Sequence, residues 1–392
     1  MSLTFEYIVN GTAAIKRIVP LLQERERLGL DFVPFQSGEE DSSGPIGLVW
    51  ETTCSKSYRR LHSSAIVLNR LHNSQVLENK ASLAVLQTRL TSQEGVIPTH
   101  IASSFEEVAR WAKMKWSNGN EHDEEDDWWV VKAAGGNGGK DIWVINGLTW
   151  QEMVSTELLH RSHSSELYVI QRYIQQPMLW RGRKFHLRCY TLLKGNMQTY
   201  VYRKAFILSA SDSYDTNSSH DSLKHITNLS VNKGSPSHPG QVPTDLMTDF
   251  PFAFEALQRI WGNLILAATP FMSRQVSPHH FDFYGIDIMI DANQGSWLLE
   301  CNRLPGLDSS KNNKEAEDEM YNEMMTSLLR LVSHPALLSL PEPEEEGWCE
   351  IHHRSDDSSA QGLGGSQGPP YLNLLNWMAF YKRNAVGLSV SQ

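Results

Sequence analysis

The chain has 392 residues, of which 40% are apolar and 20% are charged, and its formal net charge is −10. This length and composition predict two to three domains with a sizeable core, and they exclude collagen-like, fibrous and wholly disordered proteins. No run of about 18 apolar residues is present, so we expect no membrane-spanning segment. The start, MSLTFEYIVNG, predicts a first strand and not a secretion signal, because no basic residue precedes its apolar stretch.

The four cysteines lie far apart in the sequence and form no CxxC pair; they are Cys54, Cys189, Cys301 and Cys349. This spacing disfavours a disulfide scaffold and a zinc ribbon. A reducing compartment, and therefore a cytoplasmic location, is expected.

The negative charge is concentrated in two segments. Residues 121–127 carry six acids and no lysine or arginine, and residues 342–357 carry seven acids and one arginine. The remaining chain is nearly balanced, with 34 basic and 32 acidic residues. A uniformly basic surface is not indicated, so we expect no nucleic-acid partner. A local basic patch for an acidic partner stays open.

Hydrophobic periodicity and turn residues predict mixed helices and strands in the first half of the chain. Residues 36–45 and the acidic run 121–127 are predicted loops. The predicted helices cover residues 15–22, 76–90 and 105–116, the last capped by Ser103 or Ser104, and the predicted strands cover residues 4–10, 47–50, 128–134, 141–145 and 167–173.

The second half is predicted to contain strands at residues 185–193 and 199–208, a polar insert at 209–222, a helix at 254–267, a hairpin at 284–301 and a helix at 315–332. From residue 341 to 370 the chain is rich in Pro, Glu, Ser and Gly, which predicts a linker without a core of its own. The apolar end, residues 371–392, is either a docked helix or a partner motif.

The segment WWVVKAAGGNGGKDI, residues 128–142, carries a lysine followed by four glycines: Gly135, Gly136, Gly138 and Gly139. Glycines let backbone N–H groups approach a phosphate closely, and Lys132 at the end of the strand adds a positive charge. A Walker A loop is not predicted, because that motif leads into a helix and here a second strand follows. Taken alone, these residues support a phosphate-binding flap and a plain hairpin tip equally.

The segment DFYGIDIMIDANQGSWLLECN, residues 282–302, predicts a hairpin that bears two carboxylates. Because side chains alternate along a strand, Asp287 faces away from the three isoleucines of its strand, and Leu298, Glu300 and Asn302 are expected to share a face of the return strand. Asp287, Glu300 and Asn302 would then meet, and their oxygens suit Mg²⁺, which orients a triphosphate. The alternative, a solvated strand face, is disfavoured because the flanking residues are apolar.

The segment RGRKFHLRCYTLL, residues 181–193, places Arg188 on the same side of a strand as His186, and Arg203 is similarly placed on the next strand. Two such arginines suit bidentate phosphate or carboxylate contacts, and two cross-strand ion pairs are the alternative. His186 by itself is better explained as a core histidine than as a catalyst. The strand VIQRYI, residues 169–174, offers backbone groups to an adenine edge, as any buried strand does.

Taken together, these segments resemble the tubulin–tyrosine ligase family of the ATP-grasp superfamily. The resemblance covers roughly residues 60–335 and is specific as a set. The segments that carry it are residues 79–83, 132–139, 171–173, 183–188, 202–203, 225–228, 285–287 and 297–302. It implies an α+β, ATP-grasp fold with a small α/β N-terminal domain (1–75), a central subdomain with the Gly-rich flap (76–172), a C-terminal subdomain with the metal site (173–340) and a linker and tail (341–392).

The resemblance also implies ATP and Mg²⁺ as cofactors and assigns roles to individual residues. ATP would be held by Lys80, Lys132, Gly135, Gly136, Gly139, Gln171, Arg172, Tyr173, Lys184 and Asn228. The metal would be held by Asp287, Glu300 and Asn302, and the catalytic groups would be Arg188, Arg203 and Glu300.

The implied reaction phosphorylates a protein carboxylate and then forms an amide with a free amino acid, tyrosine on the tail of α-tubulin being the first choice. A glutamate or glycine ligase, on tubulin or on another protein with an acidic tail, and an ATP-binding pseudoenzyme that interacts with tubulin are the alternatives. An acidic partner would meet a basic lip formed by Lys56, Arg59, Arg60, Arg181 and Arg183, in the cytoplasm or on the cytoskeleton.

Four positions depart from the family pattern: Ala133 replaces Pro or Ser, Asp141 replaces Gly, His186 replaces Asp, and Leu208 replaces an arginine tied to substrate binding. These departures motivate the alternative amino acids and the pseudoenzyme.

Overall fold

The computed structural model describes residues 4–35, 46–51, 65–90, 92–117, 127–136, 138–139, 141–161, 166–217, 221–232, 234–272, 277–345 and 347–351. Within these residues the strands are β1 (Thr4–Val9), β2 (Asp31–Pro34), β3 (Ile46–Trp50), β4 (Ala65–Leu68), β5 (Thr99–Ala102), β6 (Trp129–Ala133), β7 (Ile142–Ile145), β8 (Tyr168–Arg172), β9 (Leu179–Trp180), β10 (Arg183–Lys194), β11 (Thr199–Tyr202), β12 (Lys204–Ser209), β13 (Val242–Asp245), β14 (Phe281–Ile290), β15 (Ser296–Arg303) and β16 (Trp348–Glu350).

The helices of the described residues are α1 (Thr12–Gln23), α2 (Arg25–Leu28), α3 (Gln75–Glu78), α4 (Lys80–Gln87), α5 (Phe105–Trp116), α6 (Trp150–Arg161), α7 (Ser222–His225), α8 (Leu229–Asn232), α9 (Leu246–Asp249), α10 (Pro251–Ala268) and α11 (Lys314–Leu338), with a 3₁₀ turn at Thr269–Phe271. Helices and three separate sheets give the mixed α+β architecture that the sequence predicts. None of these helices has the length and hydrophobicity needed to cross a bilayer.

The N-terminal sheet is parallel, with the strand order β2-β1-β3-β4. Every residue of β3 is buried, as expected for a parallel strand that is covered on both faces. Helix α1 packs Ile18 and Leu22 against Leu48 of β3, in a core that also contains Met324 and Leu328 of α11. The N-terminal sheet is thereby joined to the rest of the molecule.

The second sheet is antiparallel, in the order β5-β8-β6-β7. Helix α5, on one face, begins where the sequence predicts: the Ser104 hydroxyl accepts the Glu107 N–H at 3.3 Å, and the Glu107 carboxylate accepts the Ser103 N–H at 2.7 Å. Its apolar side packs Phe105 and Val108 against the buried side of this sheet. The other side of β6 carries Lys132.

The largest sheet has the order β13-β12-β10-β11-β16, and β14 lies along β10 with β15 beyond it. Apolar side chains fill both faces of its centre. Leu187 and Ile288 pack with Trp261 of α10 on one face, while Leu192 and Phe283 belong to the core that contains α11 on the other. All ten residues of β14 are buried, so the carboxylate of Asp287 lies in the middle of the molecule.

Two predicted elements are interrupted. The predicted helix 76–90 is two helices, because Asn79 is extended and its side chain accepts the N–H groups of Ala81 and Ser82, both at 3.1 Å, as the cap of α4. The predicted strand 199–208 breaks at Arg203, and the register against β10 moves by two residues between β11 and β12.

The chain after residue 340 was predicted to be a linker without a core, and for residues 341–351 this prediction is wrong. β16 pairs with β11, and Trp348 packs on Tyr202 while its indole N–H donates to the Ser327 hydroxyl at 3.0 Å. Glu342 accepts hydrogen bonds from the buried Lys194 and from Tyr200. The predicted apolar tail, residues 371–392, lies outside the described residues.

Replacing Trp348 with Ala is expected to lower the free energy of unfolding by about 3–5 kcal/mol, the usual cost of emptying a buried aromatic site. Leu340→Ala is a matched control close by in the chain, because Leu340 is half exposed, and it should change stability by less than about 0.5 kcal/mol. Urea unfolding measures both variants. If both variants changed the free energy of unfolding by the same small amount, residues 341–351 would not be part of the folded core.

Candidate functional site

The β14–β15 hairpin carries a β-bulge beside Asp287. Asp287 lies opposite Glu300, but Ile288 lies opposite Leu298, so Leu299 is an extra residue on β15. Leu298 therefore points into the apolar core, and the prediction that it shares a face with Glu300 is wrong. The bulge leaves Glu300 and Asn302 on the side of Asp287.

The hairpin does bring the three oxygen-bearing side chains together. The Asn302 Nδ2 donates to Glu300 Oε1 at 3.0 Å and lies 3.5 Å from Asp287 Oδ2. Asp287 is 2% exposed, whereas Glu300 and Asn302 are partly exposed. The buried end of this cluster is therefore Asp287, and the solvent-facing end is Glu300.

Arg188 pairs with Asp287 across β10 and β14. Its Nε contacts Asp287 Oδ1, and its Nη2 donates to Oδ2 at 3.0 Å, so the guanidinium binds the carboxylate in a bidentate manner. Burial alone would lower the pKa of Arg188, but the Asp287 carboxylate holds that pKa above its ordinary value. For Arg188 the structure thus shows the cross-strand ion pair that the sequence left as an alternative.

Arg203 binds a carboxylate outside this cluster. It lies in the break between β11 and β12, and its guanidinium binds Asp245 of β13, with Nε 2.9 Å from Oδ2. Its backbone N–H donates to the Gly347 carbonyl beside β16. The pair with Asp245 is the second of the two cross-strand ion pairs that the sequence left as an alternative.

Two lysines approach the carboxylates from the smaller sheet and from α4. Lys132 Nζ donates to Gln171 Oε1 at 2.9 Å. Lys80, the first residue of α4, donates to the Gly136 carbonyl at 2.5 Å and lies 3.8 Å from Glu300 Oε2. The cap at Asn79 sets the start of α4 and therefore the position of Lys80.

A third lysine, Lys184, lines the cleft together with Lys132. Lys184 is buried, and its Nζ lies 3.6 Å from the centre of the Tyr173 ring. Burial, reinforced by Lys132, lowers the pKa of Lys184 well below its ordinary value. Burial and the nearby Lys80 lower the pKa of Lys132 to about 8, against the attraction of Glu300 and Asp287. A bound polyanion would favour the charged form of all three lysines and offset their mutual repulsion.

The Gly-rich turn needs glycine at Gly138 and Gly139, where φ is +67° and +71°. A Cβ at Gly139 would come within 2.7 Å of Val231 of α8, and Asn228 lies on the same side. Gly135 is exposed, and Gly136 donates its N–H to the Ala133 carbonyl. Asp141 also has a left-handed backbone, with φ +57°, which explains why glycine is usual there.

A cleft separates the smaller sheet from the large sheet. Its floor and walls contain Gln171, Tyr173 and Lys184, with Asn228 at one side; the remaining lining includes Ile97, Val130, Lys132, Ile142, Val144, Arg172, Ile174, His225, Ile226, Thr227, Met289 and Leu299. Tyr173 Oη hydrogen-bonds His225 Nδ1 at 2.8 Å. Arg172 is exposed at the end of β8. The expected nucleotide-binding residues of β6, β8 and β10 thus face one cavity.

Two residues, His186 and Leu299, matter more at the site than the sequence indicates. His186 Nδ1 lies 2.6 Å from the Thr227 hydroxyl, and its buried Nε2 has no hydrogen-bond partner and lies 3.6 Å from Asp287 Oδ2. Burial, together with Arg188, lowers the pKa of His186 to about 3. Leu299 lines the cleft only because of the bulge, and no periodicity signal predicts a bulge.

The donor set suits a divalent cation in its chemistry. It contains two carboxylates, one carboxamide and one unpartnered buried imidazole nitrogen directed at Asp287. Among the described residues, however, no three His, Cys, Asp or Glu side chains form a ready-made metal cluster. Arg188 and Lys80 lie against the carboxylates instead. An ion would replace these internal cations at Asp287 and Glu300.

Of the predicted basic lip, Lys56, Arg59 and Arg60 lie outside the described residues. Arg181 is exposed and stacks on Trp180, with its Cζ 4.4 Å from the ring centre. Arg183 donates to the Ser237 carbonyl at 2.8 Å. Neither arginine of this loop is held in an ion pair by these contacts.

Lys132→Met is expected to raise the free energy of unfolding at pH 7 by about 1–3 kcal/mol, because a pKa difference of one corresponds to about 1.4 kcal/mol. The folded pKa of about 8 lies below the ordinary 10.5, so the cost of the charge is complete below pH 8 and disappears as the pH rises towards 10.5. Urea unfolding at pH 7 and pH 10 should show a gain that shrinks at the higher pH. Lys132→Arg, which keeps the charge, should show no gain, and a stabilised Arg variant would contradict this explanation.

Arg188→Met is expected to cost about 3–5 kcal/mol of stability, because it leaves Asp287 as a buried charge without its partner. Arg203→Met should cost under about 1 kcal/mol, since its pair with Asp245 is partly exposed. Adding Asp287→Asn to Arg188→Met should recover part of the loss. Denaturant midpoints measure the stability of all three variants. An equal loss of stability for Arg188→Met and Arg203→Met would contradict the buried pair assigned to Arg188 and the partly exposed pair assigned to Arg203.

Comparison with known proteins identifies the family of this chain. A sequence profile described as the "Tubulin-tyrosine ligase family" matches residues 59–247 and 251–339, which is more than half of the chain. Those residues include α4, the Gly-rich turn, β10 and the β14–β15 hairpin.

Individual relatives are similar over shorter lengths. "Probable tubulin polyglutamylase TTLL9" of Bos taurus is 31% identical over 188 residues, which cover 44% of this chain and 40% of that protein. The protein of the same name in Mus musculus is 28% identical over 231 residues, 54% and 50% of the two chains. "Probable tubulin--tyrosine ligase PBY1" of Saccharomyces cerevisiae is 28% identical over 176 residues, 40% and 23%.

The chain thus spans half or less of the length of these curated relatives. The family profile, in contrast, spans both sheets that border the cleft and all three lysines. On this match, the chain belongs to the tubulin–tyrosine ligase family.

Proposed function

We propose that the protein is an ATP-dependent carboxylate–amine ligase that joins a free amino acid to tubulin. The observation that carries this proposal is the closeness of two lysines to two carboxylates beside the cleft. Lys80 lies 3.8 Å from Glu300, and Lys132, which lines the cleft, is attracted by both Glu300 and Asp287. Lysines bind phosphates, carboxylates bind the metal that a triphosphate needs, and both are present within reach of each other.

ATP is the ligand that this cleft suits best. Its phosphates would offset the mutual repulsion of the three lysines, and the glycine turn would cover them with backbone N–H groups. Its base would lie between the side of the cleft formed by Val130 and the side formed by Met289 and Leu299. This placement corresponds to the ATP-grasp arrangement, in which two α+β subdomains enclose the nucleotide.

Asp287, Glu300 and Asn302 would hold Mg²⁺, which when bound neutralises and orients the phosphates. The chain's own contribution is positioning and charge. Lys132 is fixed by Gln171, which in turn donates to the Thr99 hydroxyl at 3.3 Å. Such a held ammonium group stabilises developing negative charge without reorganisation at the moment of reaction.

The proposed reaction has two steps, phosphorylation of the acceptor carboxylate and then amide formation. A carboxylate oxygen of the acceptor attacks the γ-phosphorus of ATP, which yields an acyl phosphate and ADP. The amine of the amino acid then attacks the acyl carbon, inorganic phosphate leaves and the amine loses a proton. Arg188, which is partly exposed beside Asp287, would stabilise the phosphoryl group. Arg203, which binds Asp245, would contact the phosphoryl group or the acceptor carboxylate only after leaving that partner.

Tyrosine, glutamate and glycine are the candidate amino acids. Of the relatives described above, two carry names that contain "polyglutamylase" and one is named a tubulin–tyrosine ligase, so the names support glutamate and tyrosine. Leu208, where the family has a substrate-binding arginine, is 3% exposed and lies in the core. It offers no charge to an amino acid. The exposed Arg181 is a candidate contact for an acidic acceptor tail.

The full chain, incubated with tubulin, ATP, Mg²⁺ and each labelled amino acid, should transfer one of them to the tubulin tail, as measured by mass spectrometry. Glu300→Gln is expected to reduce incorporation by at least about a hundredfold, because it removes a metal-binding charge. Glu255→Gln on α10 is the matched control, since Glu255 is exposed and forms an ion pair with Arg259 on the same helix, and it should keep full activity.

Incorporation by the parent no greater than by Glu300→Gln would overturn the ligase proposal. ATP binding in calorimetry without phosphate release or incorporation would instead support the pseudoenzyme. That second candidate is favoured by one observation: the buried carboxylate of Asp287 is already neutralised by Arg188.

A further inference from the structure

The imidazole of His186 is placed unlike any other polar group of the cleft. It is 2% exposed, and its Nδ1 lies 2.6 Å from the Thr227 hydroxyl. Its Nε2 has no hydrogen-bond partner, although it is buried and lies 3.6 Å from Asp287 Oδ2. A buried polar atom left without a partner costs free energy, so such an atom calls for an explanation.

The groups around Nε2 explain why it has no hydrogen-bond partner. The contact with Thr227 fits two tautomers. With the proton on Nε2, that N–H points at Asp287 Oδ2 from 3.6 Å, which is too far for a hydrogen bond. With the proton on Nδ1, donated to Thr227, the lone pair of Nε2 faces the lone pairs of Asp287 Oδ2. Two lone pairs directed at each other repel, unless a cation lies between them. Metal-binding histidines show this pattern: one nitrogen holds the metal, and the other donates its proton to a neighbouring oxygen.

The members of the oxygen cluster lie on the same side. Asn302 joins Asp287 and Glu300, as described above, and β10 places His186 two residues from Arg188, on the same face of the sheet. The unpartnered imidazole nitrogen is thus a second observation, independent of the two carboxylates, that points to a cation at Asp287.

We propose that His186 Nε2 is a direct ligand of the divalent cation at Asp287, so that this site binds a mixed nitrogen–oxygen ion in preference to Mg²⁺. This inference rests on the metal site of the proposed function. Mg²⁺ is bound almost entirely by oxygen, whereas an imidazole ligand strengthens the binding of first-row transition ions, among which Mn²⁺ also accepts carboxylates. Thr227 is a positioning residue that orients the ring.

The probe is Mn²⁺, added to the full chain alone and together with inorganic tripolyphosphate. Tripolyphosphate contains no nitrogen, so any ¹⁴N modulation in pulsed electron paramagnetic resonance of the bound Mn²⁺ must come from the protein. The parent should show the ¹⁴N coupling of a directly bound imidazole. His186→Asp should bind Mn²⁺ without this coupling, and its affinity for Mn²⁺ relative to Mg²⁺ should fall about tenfold.

Two further variants keep the test clear. Thr227→Val should retain the ¹⁴N coupling and weaken Mn²⁺ binding by about tenfold, because the ring loses its orienting partner. His279→Asn, which changes a partly exposed histidine in the turn before β14, should leave both the coupling and the affinity unchanged. If His186→Asp does not fold, His186→Asn replaces it with the same expected loss of the imidazole coupling.

Three results would overturn the proposal: bound Mn²⁺ in the parent without ¹⁴N coupling, coupling that persists in His186→Asp, or no Mn²⁺ binding under either condition. Each is separate from the failure of the ligase proposal, which is judged by amino acid incorporation. Coupling present without incorporation would support the ligand and refute the ligase; incorporation without coupling would do the reverse.

Discussion

A carboxylate buried in the middle of a sheet must have a partner, and this constraint organises the site. Asp287 lies on a strand whose ten residues are all buried, so its charge cannot be balanced by water. Arg188, His186 and Asn302 all come to it from neighbouring positions of β10 and β15. The bulge at Leu299 is what allows Glu300 and Asn302 to join them, because it corrects the register of β15 at that point.

The lysines of the cleft need a negatively charged partner, just as Asp287 needs a positive one. Burial lowers the pKa of Lys132 and of Lys184, so keeping either one as an ammonium group in the folded state costs free energy. Other parts of the molecule offset that cost: the cores on both faces of the large sheet are filled with aromatic and aliphatic side chains. The cleft is therefore a region where stability is given up for affinity towards an anion.

The sequence predicted the elements around the site well, because they have strong local signals. Alternation located the β14–β15 hairpin, and helical spacing after a serine cap located the start of α5. The resemblance then named Lys132 and Asn228, which line one cleft, and Lys80, which contacts the Gly-rich turn through the Gly136 carbonyl.

What the sequence missed depends on register and tertiary contact. A one-residue bulge on β15 leaves no trace in hydrophobic periodicity, so Leu298 was assigned to the wrong face. The two-residue shift between β11 and β12 was not predicted for the same reason. The unsatisfied nitrogen of His186 could not be foreseen, since it depends on where Thr227 and Asp287 lie in space. Composition hid the role of Trp348, because a single tryptophan hardly changes the average of an acidic segment.

The short strand at Trp348–Glu350 has a consequence for solubility. It pairs with β11 at one border of the large sheet, where the backbone of β11 would otherwise offer a row of unpaired N–H and C=O groups. An uncovered border strand is a template for strand addition from another copy, so these three residues reduce self-association. A variant that ends before residue 348 would expose the edge of β11 and aggregate more readily.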